Sequence, residues 1–196
     1  MKTSSKREQH RIRQQQQSRR NYLIGGAVAI LVLGILGFVL WQAAKPAAGQ
    51  VVTIPAGYQT HVDIGTTLTY PSNPPAGGLH YAEEFEAGFY DEETIPNRPG
   101  APEGYLVHNL EHGYVIFWYN CSNLDANACS DLKANIKSVM DARNNFKLIA
   151  FPWKSIDGPL AMTSWGRIQN FDQFDAGQVK AFIDNNLNRS PEPDAP

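Results

Sequence analysis

Hydrophobic and polar positions divide this chain into a polar head, one long apolar run and a mixed remainder. From Tyr22 to Trp41 (YLIGGAVAILVLGILGFVLW) no residue is charged. Twenty residues at helical rise match the roughly 30 Å hydrocarbon core of a bilayer. Tyr22 and Trp41 close the run at both ends, where amphipathic rings favour the headgroup level. The expected organisation is a tail over 1–21, a transmembrane helix over 22–41 and a Pro/Ala/Gly-rich linker over 42–57. A globular domain over 58–188 follows, and 189–196 is polar, proline-rich and expected to be disordered.

Within the globular portion the first third shows little helical period. The stretch THVDIGTTLTY allows one short strand, whereas TYPSNPPAGGLHY and IPNRPGAPEG are loops, because paired prolines and glycines interrupt regular structure. Tyr105–Tyr119 (YLVHNLEHGYVIFWY) is aromatic and β-branched, and Gly113 splits it into two short extended pieces. Tyr114, Phe117, Trp118 and Tyr119 would then alternate between core and surface. Ser130 is the expected N-cap of a helix with Leu132, Ile136, Val139 and Met140 on one face. FKLIAFPW reads as a strand and PLAMTSWGRI as another, with Trp153 and Trp165 as core or groove anchors. Asp175 opens a last helix with Val179, Phe182, Ile183 and Leu187 inward. The order β-α-β-β-α predicts an α+β domain, a small mixed sheet carrying two helices, compatible with the second half of a thioredoxin-like fold.

Charge changes the picture by giving the apolar run a direction. The first twenty residues carry seven Lys/Arg and one Glu, a net +6; the whole chain is −2, so the remainder is −8. The basic side precedes the span, which predicts a single-pass protein of the cell membrane with a cytoplasmic N-terminus and an extracytoplasmic domain. The apolar core is longer than the usual signal-peptide h-region, which favours an uncleaved anchor over the competing reading of a cleaved signal. An acidic outer domain argues against nucleic-acid binding. Cys121 and Cys129 are the two cysteines of the chain, and in an oxidising compartment they most simply form one disulfide.

Candidate chemistry centres on His61, His80, His108 and His112, four of the five histidines. Neutral imidazole ligates zinc and copper, and histidines four apart share one side of a helix or of a strand. If His80, His108 and His112 converge, they can hold Zn²⁺ or Cu²⁺, with His61, Glu111 or Met162 as further ligands; a thioether from Met162 would tilt the choice to copper. A structural reading stands beside this one. His108 and Asn109 can satisfy buried backbone groups, with Glu111 paired to Arg167 or to a histidine. The string HNLEH also fits the H-x-x-E-H form of a zinc-dependent hydrolase with Glu111 as base, but that form requires a helix, and the strand-like YVIFWY disfavours it. The acidic residues Glu83, Glu84 and Glu86, with Asp91–Glu93, read as solvated surface; their spacing does not fit a calcium loop.

Taken together, NPPAGGLHY, then VHNLEHGYVIFWY, then AMTSWGR resemble a bacterial, membrane-anchored family, domain-of-unknown-function family 3105. The matching residues are Pro74, Pro75, Gly78, His80 and Tyr81, then His108–Gly113, then Thr163, Trp165, Gly166 and Arg167, with His61 upstream. The resemblance covers roughly Tyr58 to Asn188. It departs at Ala76-Gly77, where Thr-Ser is typical of the family, and at Met162, where leucine is usual. It implies that the histidines form one site, without supplying a reaction. The function expected is extracytoplasmic metal binding, with the membrane, a metal ion and a membrane protein complex as partners. A ligand-free structural or interaction module is the alternative, and a hydrolase the less favoured third.

Overall fold

A computed structural model describes residues 6–43 and 48–195, with side chains described over 19–38 and 48–195. Residues 1–5 of the basic tail, 44–47 of the linker and Pro196 lie outside the described residues. The chain divides into two units, Met1–Pro46 and Ala47–Pro196.

The first unit is one helix, α1 (Lys6–Ala43). Its Arg19–Phe38 stretch is long and apolar enough to cross a membrane, and no part of it is buried within the protein. The helix begins well before the apolar run, so the Gln-rich segment of the tail is helical as well. Its Lys, Arg, Gln and Glu are good helix formers, and neither Gly nor Pro interrupts them.

The second unit is an α+β domain built on a six-stranded mixed sheet. Its strands are β1 (Gln50–Val51), β2 (Gly88–Phe89), β3 (Val115–Tyr119), β4 (Leu148–Pro152), β5 (Leu160–Ser164) and β6 (Arg167–Phe171), in the order β1-β6-β5-β3-β4-β2. β3 runs parallel to β4, and β4 to β2, while β5 and β6 are antiparallel additions. Three helices accompany the sheet rather than two: α2 (Pro102–Glu111), α3 (Ala126–Asp141) and α4 (Ala176–Asn186). The arrangement of β3 to β6 is compatible with the thioredoxin-like comparison.

Burial explains the central strand. Every residue of β3 is buried, so the expected alternation of core and surface is replaced by two cores. Val115, Phe117 and Tyr119 face Ile136 and Met140 of α3 and Val179 and Phe182 of α4. Ile116 and Trp118 face the other way, with Leu106, Val107 and Leu110 of α2. A strand covered on both faces reads as a continuous apolar run, and YVIFWY is one.

Several elements depart from the sequence pattern for identifiable reasons. Tyr105–Glu111 is helical rather than extended: Pro102 stands at its first turn, and Gly113 ends it. Gly113 has φ 87°, its N–H donates to Leu110 O, and the Tyr114 N–H donates to Asn109 O. Those two bonds form the paired closure of a Schellman turn, which requires the left-handed conformation that glycine adopts freely. PLAMTSWGRI is not one strand but the hairpin of β5 and β6, turning through Trp165 and Gly166. The linker joins the sheet at β1, and THVDIGTTLTY keeps only an isolated bridge between His61 and His80. The cap of α3 is Asp125, whose carboxylate accepts the Ala128 N–H at 2.8 Å, so Ser130 lies inside the helix.

The disulfide Cys121–Cys129 is formed, and it ties the end of β3 to the first turn of α3. Closing this short loop contributes about 2–3 kcal/mol on the chain-entropy account. Despite its composition, the C-terminal segment has partners: Lys147 Nζ donates to Pro193 O and Ala195 O, and the Glu192 N–H to Glu111 O. The cap assignment is directly testable. Asp125→Ala should lower unfolding free energy by about 1 kcal/mol, and Ser130→Ala should change it by less than about 0.5 kcal/mol, both measured by urea titration.

Candidate metal centre

The last turn of α2 carries His108, Glu111 and His112, and each is less than 10 % exposed. Spacings of three and four bring these side chains to neighbouring positions on one end of the helix. The C-terminal end of a helix holds partial negative charge, which favours a cation there. Burial removes water as a partner, so each polar atom must find one within the protein.

His61 and His80 arrive from the loop region. Their segments are clipped together by the Val62 N–H to His80 O bond of 2.8 Å. His80 is fully buried, and its Nδ1 lies 2.8 Å from Gly78 O. Only a protonated Nδ1 can donate to that carbonyl, which fixes the tautomer and aims Nε2 at the cluster. Gly78 has φ 144°, and a Cβ there would stand 2.8 Å from the Tyr70 ring. That close approach places the accepting carbonyl.

Four ligand atoms then converge. His80 Nε2 is 2.8 Å from Glu111 Oε2, His61 Nε2 is 3.7 Å from the same oxygen, and His61 Nε2 is 3.1 Å from His108 Nδ1. Together the ligand atoms of His61, His80, His108 and Glu111 lie within 4.8 Å of one another. Atoms bound at about 2.0–2.1 Å around one tetrahedral zinc stand about 3.3 Å apart, so the observed spacing brackets what an ion needs. Two of these contacts, at 2.8 and 3.1 Å, are also hydrogen-bond distances.

A second group overlaps the first. Glu84 Oε2 lies 3.2 Å from His108 Nε2 and 3.8 Å from His112 Nδ1. A side-chain clamp positions this arm: Asn109 accepts the Phe85 N–H at 3.0 Å and donates to Phe85 O at 2.8 Å. The backbone beside Glu84 is thereby fixed to α2. His61 and Glu84 are the half-open members, with side chains 49 % and 39 % exposed, so both groups can be reached from solvent.

Electrostatics leaves His108 uncharged at neutral pH. Burial, followed by its neighbours His112, His80 and His61, pushes its pKa down to about 4. A neutral ring presents a lone pair, as metal binding requires.

The expected ligands are thus partly regrouped. His61, His80, His108 and Glu111 assemble as one set, whereas His112 joins His108 and Glu84 instead of completing it. Met162 is placed elsewhere, fully buried in β5 within the core facing α3 and α4. Glu111 pairs with His80 rather than Arg167, whose Nη1 reaches toward Gly49 O at 3.5 Å. The helix that the H-x-x-E-H form requires is present after all, but Glu111 is turned to His80 and not left free beside a shared ion. Glu84 was hidden in an acidic run; its position four residues after His80, before the apolar Phe85, is the signal that marks it.

Fold and site define an α+β domain, on a chain with one candidate membrane helix, whose buried His/Glu cluster could hold a metal ion. The chain belongs to the family described as "Protein of unknown function (DUF3105)", which matches residues 61–196. No curated protein and no solved structure matches.

The pKa of His108 has a consequence for stability. Its folded value lies below the ordinary 6.5, so its contribution is complete above pH 6.5 and is lost as pH falls toward 4. In chelator, the melting temperature of the wild type should therefore drop more between pH 7 and pH 4.5 than that of His108→Gln. Equal drops would contradict burial of a neutral ring.

Proposed function

We propose that this protein is a membrane-anchored, extracytoplasmic domain that binds a transition-metal ion through His61, His80, His108 and Glu111. The supporting observation is the convergence of four ligand atoms from two loop positions and one helix end within 4.8 Å. A nitrogen-rich set with one carboxylate suits Zn²⁺ and Cu²⁺ alike, and with Met162 in the core no thioether tilts the choice. The half-exposed edge of His61 supplies an entry path. Metal handling, or support of a membrane metalloenzyme, is the role that such a tethered site suits.

The anchor and its direction belong to the same reading. The apolar helix, the basic residues before it and the disulfide after it are mutually consistent with an N-terminus in the cytoplasm. Protease added outside intact cells should then digest a C-terminal epitope tag and spare an N-terminal one; the reverse pattern would reject the orientation.

Ligand binding to the folded state alone raises its stability, by about 2.7 kcal/mol at a hundredfold excess over the dissociation constant. Zn²⁺ or Cu²⁺ added to the chelator-stripped protein should therefore raise its melting temperature. His61→Ala, at an accessible ligand, should remove most of that rise with little effect on the metal-free midpoint, and Glu111→Gln should also reduce it. A wild-type midpoint indifferent to both metals would reject the proposal in favour of a ligand-free structural module. The hydrolase reading is less well supported, because the Glu111 carboxylate sits in a ligand position against His80.

A further inference from the structure

We infer that the centre is built for two ions, with the His108 ring as the bridge between them. The inference rests on the metal-binding reading above and adds a second position, held by Glu84, His108 and His112.

His108 has one nitrogen in each group. Nδ1 stands 3.1 Å from His61 Nε2, on the side of His80 and Glu111. Nε2 stands 3.2 Å from Glu84 Oε2, on the side of His112. The two ring lone pairs of an imidazole diverge, so a single ion can use one nitrogen or the other. Six ligand residues around one ion would require both. The ligand atoms fall instead into a set of four and a set of three, each within 4.8 Å, with His108 the shared member.

An independent observation marks the second position. His112 is 7 % exposed, and its Nδ1 is buried without a hydrogen-bond partner. Buried ring nitrogens ordinarily have partners, and an orphan calls for an explanation. Its nearest acidic neighbour is Glu84 Oε2 at 3.8 Å, too far for a hydrogen bond but suited to a shared ion. On the opposite edge of the ring, His112 Nε2 lies 3.8 Å from Glu192 Oε2. At that distance Glu192, like Glu84, is beyond hydrogen-bond reach of the ring and contributes charge beside it. The Glu192 N–H donates to Glu111 O, which holds that carboxylate beside the site.

The proton count is consistent with a bridge. A neutral His108 carries one ring proton. The first ion takes the lone pair on Nδ1; the second displaces the proton from Nε2 to solvent, leaving an imidazolate with a metal on each nitrogen. Two carboxylates, Glu111 in one set and Glu84 in the other, offset part of the added positive charge. The second set supplies three protein ligands, which leaves a coordination position for water or a small donor beside the groove lined by Glu83, Arg98 and Tyr114.

Copper provides a test that separates this inference from the reading beneath it. The full chain in detergent is stripped with chelator, loaded with Cu²⁺ and desalted; copper per chain and the electron paramagnetic resonance signal are then measured. Two coppers per chain, with most of the signal lost through coupling across the imidazolate, is the expected result. Glu84→Gln, at a half-exposed side chain, should bind one copper with its signal restored, and His112→Gln should do the same. One copper in the wild type, unchanged in both variants, would remove the second position and leave the first intact. Two coppers with a full, uncoupled signal would reject the bridge. Neither copper nor zinc retained after the same loading with each ion would reject both readings together.

Discussion

The constraint on which this domain depends is the burial of four polar side chains at one helix end. His108, Asn109, Glu111 and His112 follow one another through the last turn of α2, where almost none of their surface meets water. An apolar helix end would need only packing. This one needs partners for every ring nitrogen, amide and carboxylate, and an unsatisfied buried polar group costs about 1–3 kcal/mol. The loop region supplies them for three of the four residues, while His112 Nδ1 is left without one. Asn109 is met by the backbone of Phe85, Glu111 by His80, and His108 by His61 and Glu84. The irregular first third of the domain is therefore held by the site as much as it holds the site.

That dependence also explains which parts of the structure are legible in the sequence. Helical faces of ordinary amphipathic elements are plain: Leu132, Ile136, Val139 and Met140 are the buried residues of α3, as their spacing requires. The paired cysteines are equally plain, because two thiols in an oxidising setting have one simple outcome. α2 is obscured because it runs directly into the aromatic and β-branched β3, and because Gly104–Glu111 are all buried, which erases the helical alternation of polar and apolar positions. Its true markers are punctuation: Pro102 at the start and Gly113 just past the end, the asymmetry of helices that begin with proline and stop at glycine. The hairpin at Trp165-Gly166 is missed for the opposite reason, since both of its strands are short enough to read as one.

At the site, the histidines are legible and their grouping is not. Spacing of four places His108 and His112 on one side of a helix, but it does not say which nitrogen of each ring faces which neighbour. Grouping is decided by long-range placement: His61 is brought by its bridge to His80, and Glu84 by the Asn109 clamp. Neither contact has a sequence period. Met162 shows the converse, a residue of suitable chemistry whose place in β5 points it into the core.

Charge bears on the proposal that the cluster is a cation site. Glu84, Glu111 and Glu192 surround rings of which His108 is neutral near pH 7, at the negative end of a helix. The nearby ammonium of Lys147 is already committed, since its three donors meet His112 O, Pro193 O and Ala195 O at 2.9 Å each. Arg98 is likewise engaged, donating to Glu84 O at 2.8 Å and facing Glu83 at 3.8 Å. The basic side chains around the centre thus bind backbone carbonyls, or a carboxylate outside it, instead of neutralising its own carboxylates. The hydrogen bonds within the cluster leave His112 Nδ1 without a partner. The proposed metal cation would meet the carboxylates, the neutral ring and the orphaned nitrogen at once.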